Sequence, residues 1–473
     1  MDNQKKTTRR DFLKLAAAGS GSAVLAACTP AQPTATVAPA AAVAPAATVA
    51  PAATVAPAAT VAPTVSAQAA NIATGPLAYG ARSVDAGPTA QNEALIAAYT
   101  AKTKNEVKYN ATESNAFQNN LSQYLQGTPD DTFEWMAGYR MQFFAEQGLL
   151  ADLTDVWGTI GDQYAESYKI ASTGLDGKQY FVPKSWYPWG MHFRKSMFKD
   201  LGLSADTVTN WDEFLKMLDG MKKKGLVGFA AGDKGGWEAM GTFDIINARV
   251  NGYQFHVDLM AGREKWTDAK VLEVFKHWEM LLPYMNPNVL DLEWDGAMQL
   301  LLQKKAGAML MGSWFGGNFK EQSQADYDDL SIIPFPEINP EHGRDTVDAP
   351  IDGWCVAANG TNNAGGADFL AFAGDMEGVQ ATLDAKDKDG KSIPMTSANK
   401  GQDRSTYDAF QKEQMAVMDE AKYITQFLDR DTRPDFAGPI VGPAIQSWFK
   451  NPKDVNKIVD SLQAQWDALP PLA

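Results

Sequence analysis

The chain has 473 residues, 57 acidic and 42 basic, for a formal net charge of −15, with 45% hydrophobic residues and two cysteines. That negative excess excludes nucleic acid and anionic membrane surfaces as partners. Two cysteines exclude a disulfide-built scaffold, and the length suffices for two domains with large cores of their own.

In chain order, the first element is an export signal. Lys5, Lys6, Arg9 and Arg10 precede a short apolar run that ends in Leu25-Ala26-Ala27-Cys28. A basic head and a short apolar stretch make a secretory leader. The pair Arg9-Arg10, followed by Asp11-Phe12-Leu13-Lys14, resembles a twin-arginine export address. Leu25–Cys28 resembles a lipobox, in which the cysteine is diacylated and becomes the mature N-terminus. The run is too short to cross a bilayer of about 30 Å, which takes roughly 20 residues. Residues 1–27 are therefore expected to be a signal peptide and Cys28 the lipid attachment point. That places the protein outside the cytoplasmic membrane, periplasmic or at the cell surface. The leader holds five basic and two acidic residues, so the mature chain carries 37 and 55, a net of −18.

Residues 28–74 are nearly all Ala, Pro, Thr and Val, and the unit Ala-Pro-Ala-Ala-Thr-Val recurs at Ala44–Val49, Ala50–Val55 and Ala56–Val61. A proline every sixth residue interrupts helix and sheet ladders alike. The segment reads as a partly polyproline-II tether, reaching more than roughly 100 Å at about 3.1 Å per residue.

From Gly75 onward, short apolar runs alternate with helical patterns, which predicts α/β architecture. Strands are expected at Leu77–Arg82, Glu106–Asn110, Thr132–Met136, Val227–Ala231, Ala306–Met311 and Ser331–Pro334. Helices are expected at Thr89–Thr103, Phe117–Leu125, Tyr139–Gln147 and Thr267–Leu282, and at Asp454–Leu469 in a mostly helical tail. The Thr267–Leu282 helix presents Val271, Val274, Phe275, Trp278 and Leu282 on one face. Asn210-Trp211-Asp212-Glu213 has the form of a capping box opening a helix to Lys224. Cys355, inside Trp354-Cys355-Val356-Ala357-Ala358, reads as a buried free thiol.

No Gly-x-Ser-x-Gly elbow, P-loop or His-Glu-x-x-His occurs, and the four histidines lack metal-ligand spacing. No cofactor is indicated. What stands out is aromatic residues in loops. Trp186 and Trp189, Trp237, Trp314 and Trp354 sit beside Gly, Pro or Ser, whereas Trp211, Trp278, Trp448 and Trp466 lie in helical patterns. An indole covers the C–H face of a pyranose while polar side chains hydrogen-bond its hydroxyl rim.

The chain also resembles the extracellular solute-binding proteins of bacterial ABC importers, in the carbohydrate-binding family that includes maltose-binding protein. The resemblance is carried by Phe144–Leu153, Asp176–Lys184, Phe193–Phe198, Trp211–Phe214, Gln303–Trp314, Ile332–Pro336 and Ala349–Trp354. It departs from the family where Phe193-Arg194 replaces Tyr-Asn, and where the first strand ends in Arg82-Ser83 instead of paired tryptophans. The resemblance implies a two-lobe periplasmic-binding-protein fold with a hinge and an interlobe cleft. Residues 75–183 and 313–350 would form lobe 1, and residues 184–312 and 351–473 lobe 2. The crossings would fall at Pro183-Lys184, Gly312-Ser313 and Pro350–Gly353, where proline and glycine suit a hinge.

The implied function is that of a non-catalytic, monomeric receptor lipoprotein, which captures a sugar or oligosaccharide by lobe closure and delivers it to an ABC permease. A lipid-anchored glycoside hydrolase or a polyamine receptor is the alternative. The implied site comprises Arg82, Ser83, Glu113, Ser114, Tyr139, Arg140, Trp186, Trp189, Trp237, Trp294, Asp295, Trp314, Asp352 and Trp354.

Overall fold

The computed structural model describes residues 75–470. The expected leader, the lipidation of Cys28 and the tether lie outside the described residues. The strands, in chain order, are β1 (Leu77–Ala81), β2 (Val107–Ala111), β3 (Thr132–Met136), β4 (Val182–Trp186), β5 (Trp189–Arg194), β6 (Val227–Ala230), β7 (Ala306–Gly312), β8 (Leu330–Ile333), β9 (Thr346–Asp348), β10 (Ile351–Val356) and β11 (Tyr423–Thr425). They form a five-stranded sheet ordered β2-β1-β3-β10-β4, a four-stranded sheet ordered β6-β7-β5-β8, and the small pair β11-β9. The two larger sheets mix parallel and antiparallel neighbours.

Helices cover the sheets because their apolar faces have no other place to go. The Trp211–Lys223 helix buries Trp211, Phe214, Met217, Leu218 and Met221, a stripe at three- and four-residue spacing. It starts where the Asn210 side chain accepts the Glu213 N–H at 3.1 Å. Glu213 turns to the Thr209 N–H at 3.3 Å, so the cap forms without the reciprocal half of a capping box. The expected Thr267–Leu282 helix runs over Ala269–Glu279, capped by Asp268, with Val271, Val274, Phe275 and Trp278 buried as anticipated. Leu282 belongs to the 3-10 turn that follows.

Two separate cores correspond to the two lobes. One gathers Tyr79, Phe133, Trp135, Phe181, Trp186, Ile351, Trp354 and Cys355 around the five-stranded sheet. The other gathers Trp189, Phe214, Phe229, Met309, Phe315, Ile332, Val347 and Phe410 around the four-stranded sheet. Sheet membership reverses the expected assignment of two segments. β8, expected in lobe 1, pairs with β5, and Phe315, Phe319 and Tyr327 before it join the same core. β10, expected in lobe 2, lies between β3 and β4.

The crossings shift accordingly. The first falls at Tyr187-Pro188, between β4 and β5, and the second at Ala349-Pro350, between β9 and β10. The third lies between Ser397, bridged to Ser185, and Phe410 in the second core. Gly312-Ser313 is no crossing: β7 runs into a helical turn within its own lobe. Cys355 is a buried free thiol, and burial raises its pKa well above the ordinary value.

Candidate functional site

The strand ends of both sheets meet in an interlobe cleft with a cavity of about 380 Å³, within the size range of small-molecule sites. The lobe-1 side is built on β1, β3, β4 and β10. Its charged floor is a chain of buried contacts. Lys184 Nζ lies 2.9 Å from both Glu134 Oε1 and Asn92 Oδ1. Tyr79 Oη and Asn92 Nδ2 donate to Glu134 Oε1 at 3.0 and 3.1 Å, and the Trp354 indole N–H donates to Tyr79 Oη at 2.9 Å. Burial alone would raise the Glu134 carboxyl. The Lys184 ammonium and the Arg82 guanidinium outweigh it and bring the pKa down to about 2. Its second oxygen accepts the Arg82 backbone N–H at 3.1 Å, which fixes the end of β1.

From there the Arg82 side chain reaches Asp352, Nη2 to Oδ2 2.7 Å. Asp352 sits at the cleft end of β10, where the β10–β4 register shifts between Asp352 and Gly353. Such an irregularity re-aims a side chain. Gly353 has no alternative at that point, because a Cβ there would stand 2.1 Å from the Val182 carbonyl oxygen. The other Asp352 oxygen pairs with Arg430 Nη1 of lobe 2 at 2.9 Å, and Arg430 Nη2 donates to Tyr187 Oη at 2.7 Å.

The lobe-2 wall is aromatic. Trp294 and Trp314 meet edge to face at 4.4 Å. Trp189 packs on Phe427 at 4.8 Å, and Trp237 approaches the same ring at 6.3 Å. Phe427 is held at φ 99°, a left-handed backbone that favours glycine and marks strain in a bulkier residue. Glu238 supports this wall by accepting the Trp237 backbone N–H at 3.3 Å, and the Trp294 N–H also faces its carboxylate. Burial pushes Glu238 up to about 7 and its neighbour Asp233 up to about 8. Among the described residues, the buried Gln91 Nε2, Trp189 Nε1 and Ser313 Oγ have no hydrogen-bond partner. All three residues line the cleft, and buried donors are rarely left unmatched.

Of the residues singled out from sequence, the cleft lining brings together Arg82, Ser83, Glu113, Ser114, Trp186, Trp189, Trp237, Trp294, Trp314 and Asp352. Glu113 also caps the Ser114–Gln126 helix through the Asn115 and Ala116 N–H groups. Four lie elsewhere. Trp354 is 1% exposed, opposite Glu134 in the β10–β3 register and two residues deeper than Asp352. Arg140 stands one layer behind the wall, donating to Gln118 at 2.6 Å and pairing with Asp429 of lobe 2 at 3.3 Å. Tyr139 is half-buried in the field of Arg433 and Asp435. Asp295 is exposed and caps its own neighbour, Gly296.

Sequence reasoning missed Gln91, Glu134, Lys184, Phe427, Asp429 and Arg430 in the lining. The charged run Leu428-Asp429-Arg430-Asp431 was the one available signal for the last two, and nothing in sequence tied it to Asp352.

The comparisons with known proteins agree with this geometry. A solved structure of the bacterial solute receptor AcbH superposes with a TM-score of 0.78 at 37% identity, covering 83% of this chain and 99% of that one. It is described as having an exclusive substrate preference for β-D-galactopyranose. An uncharacterised ABC transporter extracellular-binding protein of Pyrococcus horikoshii is 25% identical over 54% of this chain and 56% of its own length. The diacetylchitobiose binding protein DasA of Streptomyces coelicolor is 33% identical over 27% of this chain and 29% of its own. The chain thus spans about half the length of the first curated relative and under a third of the second. Residues 85–380, more than half of the chain, match the family described as bacterial extracellular solute-binding protein. The chain belongs to that family.

Proposed function

We propose that this protein is a non-catalytic receptor that captures a sugar between its lobes and hands it to the membrane permease of an ABC importer. The observation that carries this reading is the cleft itself. Indoles form one wall, buried charge pairs form the other, and donors without partners stand between them. A pyranose supplies apolar C–H faces for the first and hydroxyls for the rest. The name of the structural relative AcbH, a receptor for β-D-galactopyranose, supports a sugar as the ligand class. Binding across the cleft favours the closed form, because only that form contacts the ligand from both sides.

The reading extends to the N-terminal segment. Cys28 carries lipid, residues 28–74 serve as a spacer, and the body works as a monomer outside the cytoplasmic membrane. Among the described residues, no helix is long and apolar enough to cross a membrane.

The test is a thermal-shift panel of neutral mono- and oligosaccharides. A ligand at 100 times its Kd stabilises by about 2.7 kcal/mol and should be recovered chemically intact. A sugar consumed during incubation would overturn the receptor reading.

A further inference from the structure

The charges in the cleft wall bear on which sugars it accepts. We propose that Asp352 makes the cleft selective for uncharged sugars by ion-pairing with two arginines that reach it from opposite lobes, and that removing its charge turns the same cleft toward sugar acids. This rests on the sugar-receptor reading above.

Both carboxylate oxygens of Asp352 are engaged, Oδ2 with Arg82 at 2.7 Å and Oδ1 with Arg430 at 2.9 Å. The three side chains are 19, 17 and 6% exposed, so water screens the cluster poorly. Of the two other cations in the lining, one is matched by a carboxylate and one lies over an aromatic ring. Lys184 is matched by Glu134 at 2.9 Å, and Lys320 lies 5.1 Å from the Tyr327 ring centre. Across the lining, eight carboxylate residues face four basic ones.

An incoming carboxylate or phosphate therefore meets negative charge in excess. To reach either guanidinium it must displace Asp352 from that partner, which breaks one of the two ion pairs and sets two carboxylates side by side at a costly distance. A neutral sugar faces no such exchange. Its hydroxyls donate to the free lone pairs of Asp352 and leave both ion pairs standing. In Asp352→Asn the shape stays and the charge goes. Arg82 and Arg430 then lose the carboxylate they share, Arg430 keeping Asp429 at 4.0 Å, and their guanidinium forks are freed for bidentate recognition of a ligand carboxylate.

The experiment titrates wild type and Asp352→Asn with D-galactose, D-glucose and lactose, and with D-galacturonate, D-glucuronate and lactobionate, by calorimetry in low salt. Wild type should bind a neutral member at least tenfold tighter than its acid. In Asp352→Asn the acid-to-neutral affinity ratio should rise at least tenfold, and added salt should erode the gain. If that variant does not fold, Asp352→Asn combined with Arg82→Gln keeps one guanidinium freed of Asp352 and should show a smaller rise. Equal binding of acid and neutral sugar by wild type, or an unchanged ratio in a folded variant, overturns charge selection and leaves the receptor reading intact. No binding of any neutral sugar of the thermal-shift panel by wild type overturns the receptor reading and this inference with it.

Discussion

Replacing Glu134 with glutamine should cost roughly 3 kcal/mol at pH 7, and the size of that cost should depend on pH in a defined way. Glu134 is 6% exposed and is the carboxylate beside the Lys184 ammonium, 2.9 Å away. Removing one partner of a buried pair leaves the other uncompensated, typically costing about 3–5 kcal/mol. The pKa gives a similar figure by a separate route. A carboxyl at about 2 in the folded state against 4.5 in the reference state is worth about 1.4 kcal/mol per unit, or about 3 kcal/mol in total.

The sign is fixed by that depression: the contribution is present above pH 4.5 and is lost as pH falls toward 2. At pH 3 only about 1 kcal/mol should remain. Urea denaturation of wild type and Glu134→Gln at pH 7 and pH 3 measures both quantities. A variant as stable as wild type at pH 7, or a difference that does not shrink at pH 3, would refute the role given to this pair. Because Glu134 also holds the Arg82 backbone N–H, ligand affinity at pH 7 should fall in parallel.

Other expectations are as direct. Burial brings His192 down to about 3, and its Nε2 lies 2.9 Å from the Met311 carbonyl oxygen. Its contribution is present above 6.5 and is lost as pH falls, costing wild type about 3 kcal/mol by pH 4.5; His192→Gln should show a shallower acid limb in urea midpoints. Asp233 has the opposite sign. Raised to about 8, it is destabilising as pH climbs from about 4 to 8, so Asp233→Asn should gain on wild type by roughly 1.4 kcal/mol per pH unit. Equal slopes in thermal melts would contradict that. Trp314 is half-buried, with its main aromatic contact at Trp294. Trp314→Ala should lose less stability than the about 3–5 kcal/mol typical of a core tryptophan, and should cost on the order of 2 kcal/mol or more of ligand affinity; calorimetry beside ligand-free melting separates the two.

Elements were legible where local pattern decides them. Thr132–Met136 forms at its expected bounds, because Phe133 and Trp135 alternate with the polar Thr132 and Glu134 at the two-residue period of a strand. Lobe membership was not legible. β8 and β10 are both apolar runs, and nothing local says which sheet each joins; that depends on partners more than a hundred residues away in sequence, such as β5 for β8 and β3 for β10. Gly312 suggested a hinge, yet it is there for packing: a Cβ would stand 2.7 Å from the Trp314 indole. Loop tryptophans were a good guide at Trp186, Trp189, Trp237 and Trp314. Trp354 shared their glycine neighbour but lies on the buried stretch of β10, with its N–H satisfied by Tyr79. Arg82 and Asp352 were expected in the site, but their pairing with each other and with Arg430 was not legible, since the three come from segments far apart in sequence.

The central claim is that a sugar is held between the lobes. The crystal structure of the protein grown with the sugar that gives the largest thermal shift tests it most directly. The account predicts density in the cleft, stacked on the Trp294–Trp314 side and hydrogen-bonded to residues of both lobes. Density elsewhere on the surface, or a sugar touching one lobe alone, would contradict it.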